Sequence, residues 1–178
     1  CCNVAGVGDV DGDGRGDAMA GAPIGGSEFP LQGEAFVFLA PTLAGEGFRT
    51  TEAADHRVVH PQAGALGGSA VGNFGDWDQD GLADVLVGAA GLDEVGDNAG
   101  AALLFFGADL VGSPDVGVED ARHIFLADRA WQHFGRSVSN GGDINGDGQP
   151  DVLVGAPMEP LEWDRGPGSA YVFLVPSP

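Results

Sequence analysis

Cysteine and long apolar runs are scarce in this 178-residue chain, and each shortage excludes a class of protein. The two cysteines, Cys1 and Cys2, are neighbours, so the sequence holds no framework of disulfide bonds to interpret. No apolar run reaches the roughly 18 residues that a membrane-spanning helix requires. We therefore expect neither membrane insertion nor a fold held together by disulfides.

Basic residues are also few. The chain has 7 lysines and arginines against 27 aspartates and glutamates, which gives a formal net charge of −20. Such a chain will not follow a phosphate backbone or an anionic membrane surface, so nucleic acid is excluded as an expected partner. The acidic residues are either spread over a solvated surface or gathered around cations, and their distribution decides between these alternatives.

Glycine is abundant, but the composition is not that of a disordered chain. There are 32 glycines and 11 prolines, while 43% of the residues are apolar. Disordered chains usually have few apolar residues, so this one is expected to fold. Frequent turns between short apolar segments predict an all-β protein.

Three related nonamers divide the chain into repeats. DVDGDGRGD begins at Asp9, DWDQDGLAD at Asp76 and DINGDGQPD at Asp143, a spacing of 67 residues both times. Each nonamer leads into a short apolar stretch (AMAGAP, VLVGAA or VLVGAP) and then into a second apolar run. Repeats at a fixed period indicate a stack of similar units that bury one another's faces.

Each repeat is predicted to supply four short strands. In the third they are Ser137–Ser139, Val152–Val154 and Ala170–Leu174, with the fourth expected beyond residue 178. The runs are almost continuously apolar, which is typical of strands covered on both faces. Sheets packed radially achieve this, so we predict one segment of a β-propeller, with four-stranded antiparallel blades at 1–65, 66–132 and 133–178. The first strand of the first blade is expected to be degenerate or truncated.

The nonamers have the form D-x-[D/N]-x-D-G-x-x-D, which indicates metal binding. Alternating oxygen donors on a tight curve suit a hard cation that takes six to eight oxygens at about 2.3–2.6 Å. An Asp-Gly turn alone is the simpler alternative, but the three nonamers hold 11 of the 27 acidic residues. Carboxylates so close together would repel one another without a cation. We predict about three Ca²⁺ ions per chain, since Mg²⁺ prefers fewer protein ligands.

Two other interpretations of the first nonamer are rejected. An EF-hand requires a bidentate Glu at position 12, where this chain has Ala20, Val87 and Val154. The Arg15-Gly16-Asp17 tripeptide suggests an adhesion ligand, but Asp17 is needed for the ion, and the other copies lack the Arg and the Gly. We predict metal-binding hairpin loops whose last Asp stands at the mouth of a strand.

The stretch FGRSVSNGGDINGDGQPDVLVGAP, residues 134–157, resembles the FG-GAP repeat of integrin α-subunit propellers and of bacterial surface proteins. Phe134-Gly135 corresponds to the FG, and Leu66-Gly67 is taken as its counterpart in the second copy. The first copy has Cys1 where the FG glycine would be. The resemblance implies four-stranded blades with calcium in the loop between the first two strands.

The resemblance also implies a ligand set. Side-chain ligands are expected at Asp9, Asp11, Asp13, Asp17, Asp76, Asp78, Asp80, Asp84, Asp143, Asn145, Asp147 and Asp151. Backbone carbonyl ligands are expected at Arg15, Leu82 and Gln149. Because Asn145 lowers the charge of the third site, we expect that site to bind calcium most weakly.

Integrin-type propellers close with seven blades, whereas this chain supplies about 2.7. It is expected to be a segment of a longer protein, to close by oligomerisation, or to form an open array. The four histidines form no zinc pattern and no G-x-S-x-G motif occurs, so no catalytic residue is assigned and the chain is not expected to be an enzyme.

Three functions stay open. The first is a calcium-stabilised binding or adhesion module of a secreted or cell-surface protein, whose ligand is a protein or glycan. The second is a propeller that accompanies a catalytic domain outside this chain. The third is a structural subunit completed by further blades or other chains. Extracellular calcium would fill even weak sites of this kind, which favours an extracellular location.

Overall fold

The computed structural model describes residues 3–26, 30–45, 47, 49–158, 160–161, 164–165 and 167–175, and they form three main sheets in chain order, largely antiparallel, and one two-stranded hairpin. Cys1 and Cys2 lie outside these residues. The first sheet contains β1 (Asn3–Gly8), β2 (Asp17–Ala22), β3 (Glu34–Phe38) and β4 (His56–Val59). The second contains β5 (Gly67–Gly75), β6 (Asp84–Ala89) and β7 (Ala101–Phe105), then, beyond β8 (Asp115–Val116), β9 (His123–Leu126).

The third sheet contains β10 (Ser137–Asn140), β11 (Val152–Ala156) and, after the hairpin β12 (Pro160–Leu161) and β13 (Asp164–Arg165), β14 (Ser169–Phe173). Two short helices, α1 (Ala40–Leu43) and α2 (Gly107–Gly112), follow β3 and β7. Single 3₁₀ turns lie at Thr51–Ala53 and Val118–Asp120. The all-β prediction with antiparallel blades is confirmed.

The opening strand of the first unit, β1, is six residues long and pairs with β2 from Asn3 to Gly8. The pairing is interrupted by a bulge between Gly6 and Gly8. The sequence led us to expect a degenerate or truncated strand at this place. The described strand pairs with β2 from Asp17 to Gly21 and is three residues shorter than its counterpart β5, so the expectation stays a prediction.

A fifth strand joins the first sheet and was not predicted. β8, which belongs to the second unit, pairs in parallel with β4. Beside this pairing, the Arg57 guanidinium donates two parallel hydrogen bonds to the Asp115 carboxylate. One runs from Nε to Oδ1 at 2.7 Å and the other from the second guanidinium nitrogen to Oδ2 at 2.9 Å. A bidentate pair of this kind fixes geometry as well as charge, so it ties the second unit to the first.

The sheets stack face to face, and the core lies between them. One cluster joins Met19 and Val37 of the first sheet to Val85 and Leu103 of the second. On the other face of the second sheet, Leu104 belongs to a cluster that includes residues of the third sheet. Strands β6 and β7 are buried at every position, as expected for strands covered on both faces.

The outer sheets each leave one face partly open. On the third sheet, Val172 is 51% exposed and Leu174 is 56% exposed. On the first sheet, Val4 is 79% exposed. In β14 burial therefore alternates along the strand, which is typical of a sheet covered on a single face. The three sheets form an open stack and not a closed ring.

The junction between consecutive sheets has the same backbone geometry twice. Gly67 forms a parallel bridge with Gly33, and Phe134 forms one with Gly100. In both cases the entering residue also donates its N–H to the carbonyl of the residue before that glycine, at 2.9 Å. The repeat is therefore preserved at the level of individual hydrogen bonds.

This geometry corrects one sequence assignment. Leu66-Gly67 was taken as the counterpart of Phe134-Gly135, but the bridges make Gly67 the counterpart of Phe134. The assignment was wrong by one residue. Phe134 was matched to Leu66 because both side chains are apolar. The residue at the equivalent backbone position is Gly67, which has no side chain.

The space beside Gly67 is filled by another residue, His60. Its ring is fully buried, and a Cβ added at Gly67 would lie 2.2 Å from its Nδ1. One repeat later the pattern is reversed, because Ala127 stands in place of His60 and the fully buried Phe134 in place of Gly67. A large ring and a small residue have thus exchanged positions between the two junctions.

Candidate metal centres

All three nonamers lie where a metal-binding hairpin loop was expected, between the first two strands of a sheet. They span residues 9–17 between β1 and β2, 76–84 between β5 and β6, and 143–151 between β10 and β11. The antiparallel pairing of these strands places each loop at one end of its sheet. The three loops are therefore equivalent corners of three stacked units.

The first Asp of each loop organises the turn around its carboxylate. In the first loop Asp9 Oδ1 accepts a hydrogen bond from the Gly12 N–H at 2.7 Å, and Oδ2 accepts one from the Gly14 N–H at 2.8 Å. The bond to Gly14 recurs in the other loops as Gly81 N–H to Asp76 at 3.0 Å and Gly148 N–H to Asp143 at 2.9 Å. The glycine at position 6 therefore donates a hydrogen bond as well as allowing the chain to bend.

That glycine also has a backbone that other residues avoid. Its φ angle is +85° at Gly14, +93° at Gly81 and +91° at Gly148. In this region a side chain collides with the backbone, so glycine is strongly favoured. The Gly at position 6 of the sequence pattern is explained by this conformation.

The last Asp of each loop joins the loop to a distant part of its sheet. Asp17 is only 3% exposed, and its two oxygens accept from the N–H groups of Val10 at 2.8 Å and Ala40 at 2.7 Å. Val10 is in the loop, while Ala40 follows the third strand. The carboxylate thus fastens the metal loop to the end of β3.

The same double contact occurs in the other units. Asp84 accepts from Trp77 at 2.7 Å and from Gly107 at 3.1 Å. Asp151 accepts from the N–H of Ile144 at 2.8 Å and from that of Val175 at 2.9 Å. Sequence reasoning found these aspartates but missed this role. The near-constant separation of 23 or 24 residues between Asp and distant donor was the available signal.

Carboxylate oxygens converge in two of the loops. One ligand atom each from Asp9, Asp11 and Asp17 lies within 4.8 Å of the others. Asp76, Asp78 and Asp84 form the same arrangement in the second loop. Within the described part of the chain, the third loop forms no such group of three acids, which is consistent with the amide of Asn145 at its third position.

The fifth-position aspartates are not members of these clusters. Asp13 and Asp80 are exposed, and each accepts a hydrogen bond at 2.8 Å from the N–H two residues later, that of Arg15 or Leu82. Asp147 accepts likewise from the Gln149 N–H at 2.9 Å. These hydrogen bonds hold positions 5 and 7 of each loop close together. Metal coordination by their carboxylates and by the position-7 carbonyls stays a prediction.

The clustered carboxylates are electrostatically unfavourable without a cation. Burial, with smaller contributions from neighbouring Asp78 and Asp80, raises the pKa of Asp84 to about 6, against the lowering effect of the hydrogen bonds from Trp77 and Gly107. Burial raises the pKa of Asp17 as well, with smaller contributions from Asp11 and Asp9. A divalent cation would offset the desolvation and the mutual repulsion of these groups. The donor set therefore fits a hard cation.

Trp77 is an aromatic residue within the second loop that sequence reasoning did not single out. Its ring is 4.9 Å from the His123 ring, edge to face, and 5.6 Å from the Phe106 ring. Its buried Nε1 has no hydrogen-bond partner among the described residues. Because it directly follows Asp76, its fluorescence should report on the state of this loop.

The histidines contribute nothing to the clusters found in the described residues, which consist of aspartates alone. His56 Nδ1 lies 2.8 Å from the Ser113 carbonyl, and His133 Nδ1 lies 3.1 Å from that of Ala90. No helix of the described residues is long and apolar enough to cross a membrane.

The comparison with known proteins now identifies the repeat. The FG-GAP repeat family matches residues 134–173. Residues 134–173 therefore carry an FG-GAP repeat, and the chain is similar to integrin α subunits. It is 31% identical over 153 residues to integrin alpha-4 of Xenopus laevis, a match that covers 83% of this chain and 13% of the relative. It is 34% identical over 112 residues to integrin alpha-3 of Mus musculus, covering 63% of this chain and 10% of the relative.

The matched part is thus a small fraction of those relatives. The chain spans about a tenth of the length of integrin alpha-3 and a similar share of integrin alpha-4. Integrin alpha-D of Homo sapiens is 38% identical over 89 residues, which are 50% of this chain and 7% of the relative. The resemblance concerns the repeat units, and the function of a whole protein has to be inferred separately.

Proposed function

We propose that the chain is part of a calcium-stabilised propeller that acts as a binding or adhesion module of a secreted or cell-surface protein. The observation that carries this proposal is the recurrence of the same carboxylate cluster in two consecutive units. Each cluster includes the buried Asp that fastens the loop to its third strand. A cation bound there would stabilise the corner of a blade and relieve the repulsion between its acids.

Calcium is the cation that suits this donor set best. The loops offer only oxygen ligands, several of them from carboxylates held by backbone N–H groups, and soft sulfur ligands are absent from them. Calcium accepts six to eight such oxygens in flexible geometry, whereas magnesium demands an octahedron and keeps several waters. Residues of all three nonamers would serve as ligands, and about three ions per chain would be bound.

The blade boundaries follow from the repeat. We assign residues 1–65, 66–132 and 133–178 to consecutive blades of one propeller segment. The second strands end at Ala22, Ala89 and Ala156, at the ends of the sheets opposite the metal loops, since the strands are antiparallel; the loops towards the third strands begin there. These loops differ in every unit, which suits recognition of a protein or glycan on a constant frame.

A structural role in an assembly is a second candidate, and one observation favours it. The exposed apolar residues Val172 and Leu174 lie on the open face of the third sheet. Large exposed apolar faces usually mark places where another element packs. Further blades, from the same or another chain, would cover this face without any adhesive function.

Calorimetric titration with calcium tests the proposed stabilisation. We expect about three ions per chain, and each occupied site should add about 2.7 kcal/mol to the free energy of unfolding when calcium is a hundredfold above its dissociation constant. Asp17→Asn should remove the first site and Asp84→Asn the second, with Trp77 fluorescence as a reporter of the second loop. Unchanged melting in saturating chelator, together with no heat of binding, would refute the proposal.

A further inference from the structure

The first two metal loops are joined by a backbone hydrogen bond. The N–H of Ala83, at position 8 of the second loop, donates to the backbone carbonyl of Asp9, the first residue of the first loop, at 2.7 Å. Asp9 is also the residue whose carboxylate holds the N–H groups of Gly12 and Gly14. The bond from the second unit therefore fixes the backbone of the residue around which the first loop turns.

Side chains of the second loop pack closely around this bond. A Cβ added to Gly8 would lie 2.8 Å from the Ala83 Cβ, and one added to Gly12 would lie 3.0 Å from Cδ2 of Leu82. Positions 7 and 8 of the second loop thus lie against the end of β1 and the first half of the first loop. Because protein interiors are close-packed, a change in the backbone of one loop displaces the other.

A second path joins the loops through their last aspartates. Asp84 accepts a hydrogen bond from the Gly107 N–H at 3.1 Å. A Cβ added to Gly107 would lie 2.8 Å from the Ala83 carbonyl oxygen and 3.1 Å from that of Val10. The N–H of Val10 is in turn held by Asp17, the last aspartate of the first loop. The backbone of Gly107 thus packs against both loops while the second loop holds it.

One peptide group, between Leu82 and Ala83, serves both loops. Its N–H reaches the first loop, and its carbonyl is the position-7 oxygen that is expected to bind the cation of the second loop. A cation at the oxygen of a peptide group draws electron density from the nitrogen and makes the N–H a stronger donor, as in hydrogen-bonded chains whose members polarise one another. Calcium in the second loop would therefore strengthen the bond to Asp9 and order the first loop.

The corresponding link between the second and third loops is excluded by the sequence. Position 8 of the third loop is Pro150, which has no N–H, so the equivalent hydrogen bond to the Asp76 carbonyl cannot form. The third loop nevertheless keeps the internal bonds from its first and last aspartates, Asp143 and Asp151. Proline at position 8 is therefore compatible with the shape of the loop, and what it removes is the donor to the neighbouring loop.

We propose that the Leu82–Ala83 peptide couples the first two metal loops, so that order in one loop, including the order that a bound cation imposes, is passed to the other, while the third loop is independent. For the bound state this rests on the proposed function, which supplies the calcium ions. Coupling between two binding sites is reciprocal, so each ion should tighten the other site by the same factor. We expect a factor of at least about five.

Two cations also repel each other through space, and this opposes the coupling. At an ionic strength of about 0.15 M the interaction between exposed charges is screened over about 8 Å, whereas a hydrogen bond between the loops is not screened in this way. The repulsion is moreover the same in a variant that lacks the Ala83 N–H. Comparison with such a variant therefore isolates the contribution of the bond.

The ¹⁵N-labelled chain is titrated with calcium and followed by amide chemical shifts. The amides of Gly14, Gly81 and Gly148 report on the first, second and third loops, since each donates to the first aspartate of its own loop. Asp11→Asn weakens the first site and Asp78→Asn the second, with little change in shape. We expect each substitution to weaken the other of these two sites at least about fivefold and the third site less than about twofold.

Position 8 offers matched variants, because the three loops carry Gly16, Ala83 and Pro150 there. Ala83→Pro removes the N–H and should abolish the fivefold effect, whereas Ala83→Gly keeps the N–H and should retain it. The same effect in Ala83→Pro as in the parent chain, or its loss in Ala83→Gly, would overturn the proposal. If Ala83→Pro does not fold, the reciprocal pair decides: unequal factors for Asp11→Asn and Asp78→Asn, or a third site weakened as strongly, would overturn it.

A measurement in chelator lets the two proposals fail separately. If calcium binds without the fivefold effect, the coupling fails and the proposed function stands. If no calcium binds, the proposed function fails and the coupling is tested without metal, by solvent exchange of the loop amides. Ala83→Pro should then speed exchange at Gly12 and Gly14 at least about twofold, because Asp9 is no longer held, and leave Gly148 unchanged. Unchanged exchange at Gly12 and Gly14 would overturn the coupling.

Discussion

The imidazole ring of His60 occupies the space that a side chain on Gly67 would need, with Nδ1 2.2 Å from the position of an added Cβ. One repeat later, Phe134 is the large residue and Ala127 the small one. Protein interiors are close-packed, so a ring lost on one side of such a contact must be replaced from the other. His60 thus performs at the first junction the packing that Phe134 performs at the second.

Replacing His60 by a small residue and Gly67 by an aromatic one should reproduce at the first junction the arrangement found at the second. We expect His60→Ala alone to leave a cavity and cost about 2–3 kcal/mol in the free energy of unfolding. Gly67→Phe alone should cost more, because its ring collides with His60. The double variant should recover most of both losses, since Gly67 has no left-handed backbone to oppose a side chain.

Urea unfolding of the four chains measures this coupling as a double-mutant cycle. Leu110→Ala, at a buried position of α2 near the opposite, metal-loop end of the second sheet, serves as a control that should not couple to Gly67→Phe. Additive losses in the cycle would show that the two residues do not share one space.

Acid should weaken the junction through the same histidine. Burial lowers the pKa of His60 to about 4, from an ordinary value of 6.5, and neither ring nitrogen has a hydrogen-bond partner in the described part of the chain. The unfolded chain therefore takes up a proton at higher pH than the folded one. The stabilisation is complete above about pH 6.5 and is lost as the pH falls towards 4, with a slope of about 1 kcal/mol per pH unit near pH 5.

The variant His60→Ala/Gly67→Phe is the control for this pH dependence, because it keeps every carboxylate. Melting curves of both chains between pH 5 and pH 7 separate the histidine from the acids. The cavity beside His60 is also lined by Arg57, Asp115 and Glu119, whose charges are unchanged in the variant. Equal slopes in the two chains would contradict a buried neutral histidine.

Much of the fold could be predicted because the repeat is visible in the residues themselves. The nonamers, the apolar strands and the stacking all follow from patterns that recur every 67 residues. The exchange of His60 and Phe134 could not be predicted, since His60 lies seven positions before Gly67, the glycine beside which its ring packs. Only the folded backbone brings them together, and for this reason the FG motif was misplaced at Leu66.

The remaining differences also arise from contacts distant in sequence. β8 has two residues and no apolar pattern, and its place beside β4 is stabilised by the Arg57–Asp115 pair, 58 residues apart. The hydrogen bond from the Ala40 N–H to the Asp17 carboxylate joins the first metal loop to the end of β3. Local patterns identified the acids of the loops but not which distant N–H groups each acid would hold.

The third metal loop should respond to a single added charge. Asn145 replaces an acid that the other loops have, and its amide donates to Asp147 at 2.9 Å. Asn145→Asp would supply a further carboxylate, and affinity at sites of this kind rises with ligand charge. We expect calcium to bind the third site about tenfold more tightly in the variant, a gain of about 1.4 kcal/mol.

Calorimetry on a chain that carries Asp17→Asn and Asp84→Asn isolates the third site for this measurement. Asn140→Asp, close to the loop but outside the nonamer, is the control for a general increase in negative charge. The proposed ligand role of position 3 would be refuted if both substitutions raised the affinity equally.

The Arg15-Gly16-Asp17 tripeptide should not act as an adhesion ligand. The Asp17 carboxylate is 3% exposed, and both of its oxygens are held by backbone N–H groups, so it cannot be presented to a receptor while the loop is folded. Arg15 is exposed and is expected to contribute only its backbone carbonyl to the ion. Arg15→Ala should therefore leave calcium affinity and melting temperature unchanged, whereas Asp17→Asn should lower both. Cells that attach to the immobilised chain should attach equally to Arg15→Ala and resist competition by a soluble Arg-Gly-Asp peptide; selective loss of attachment with Arg15→Ala would show that the tripeptide is recognised after all.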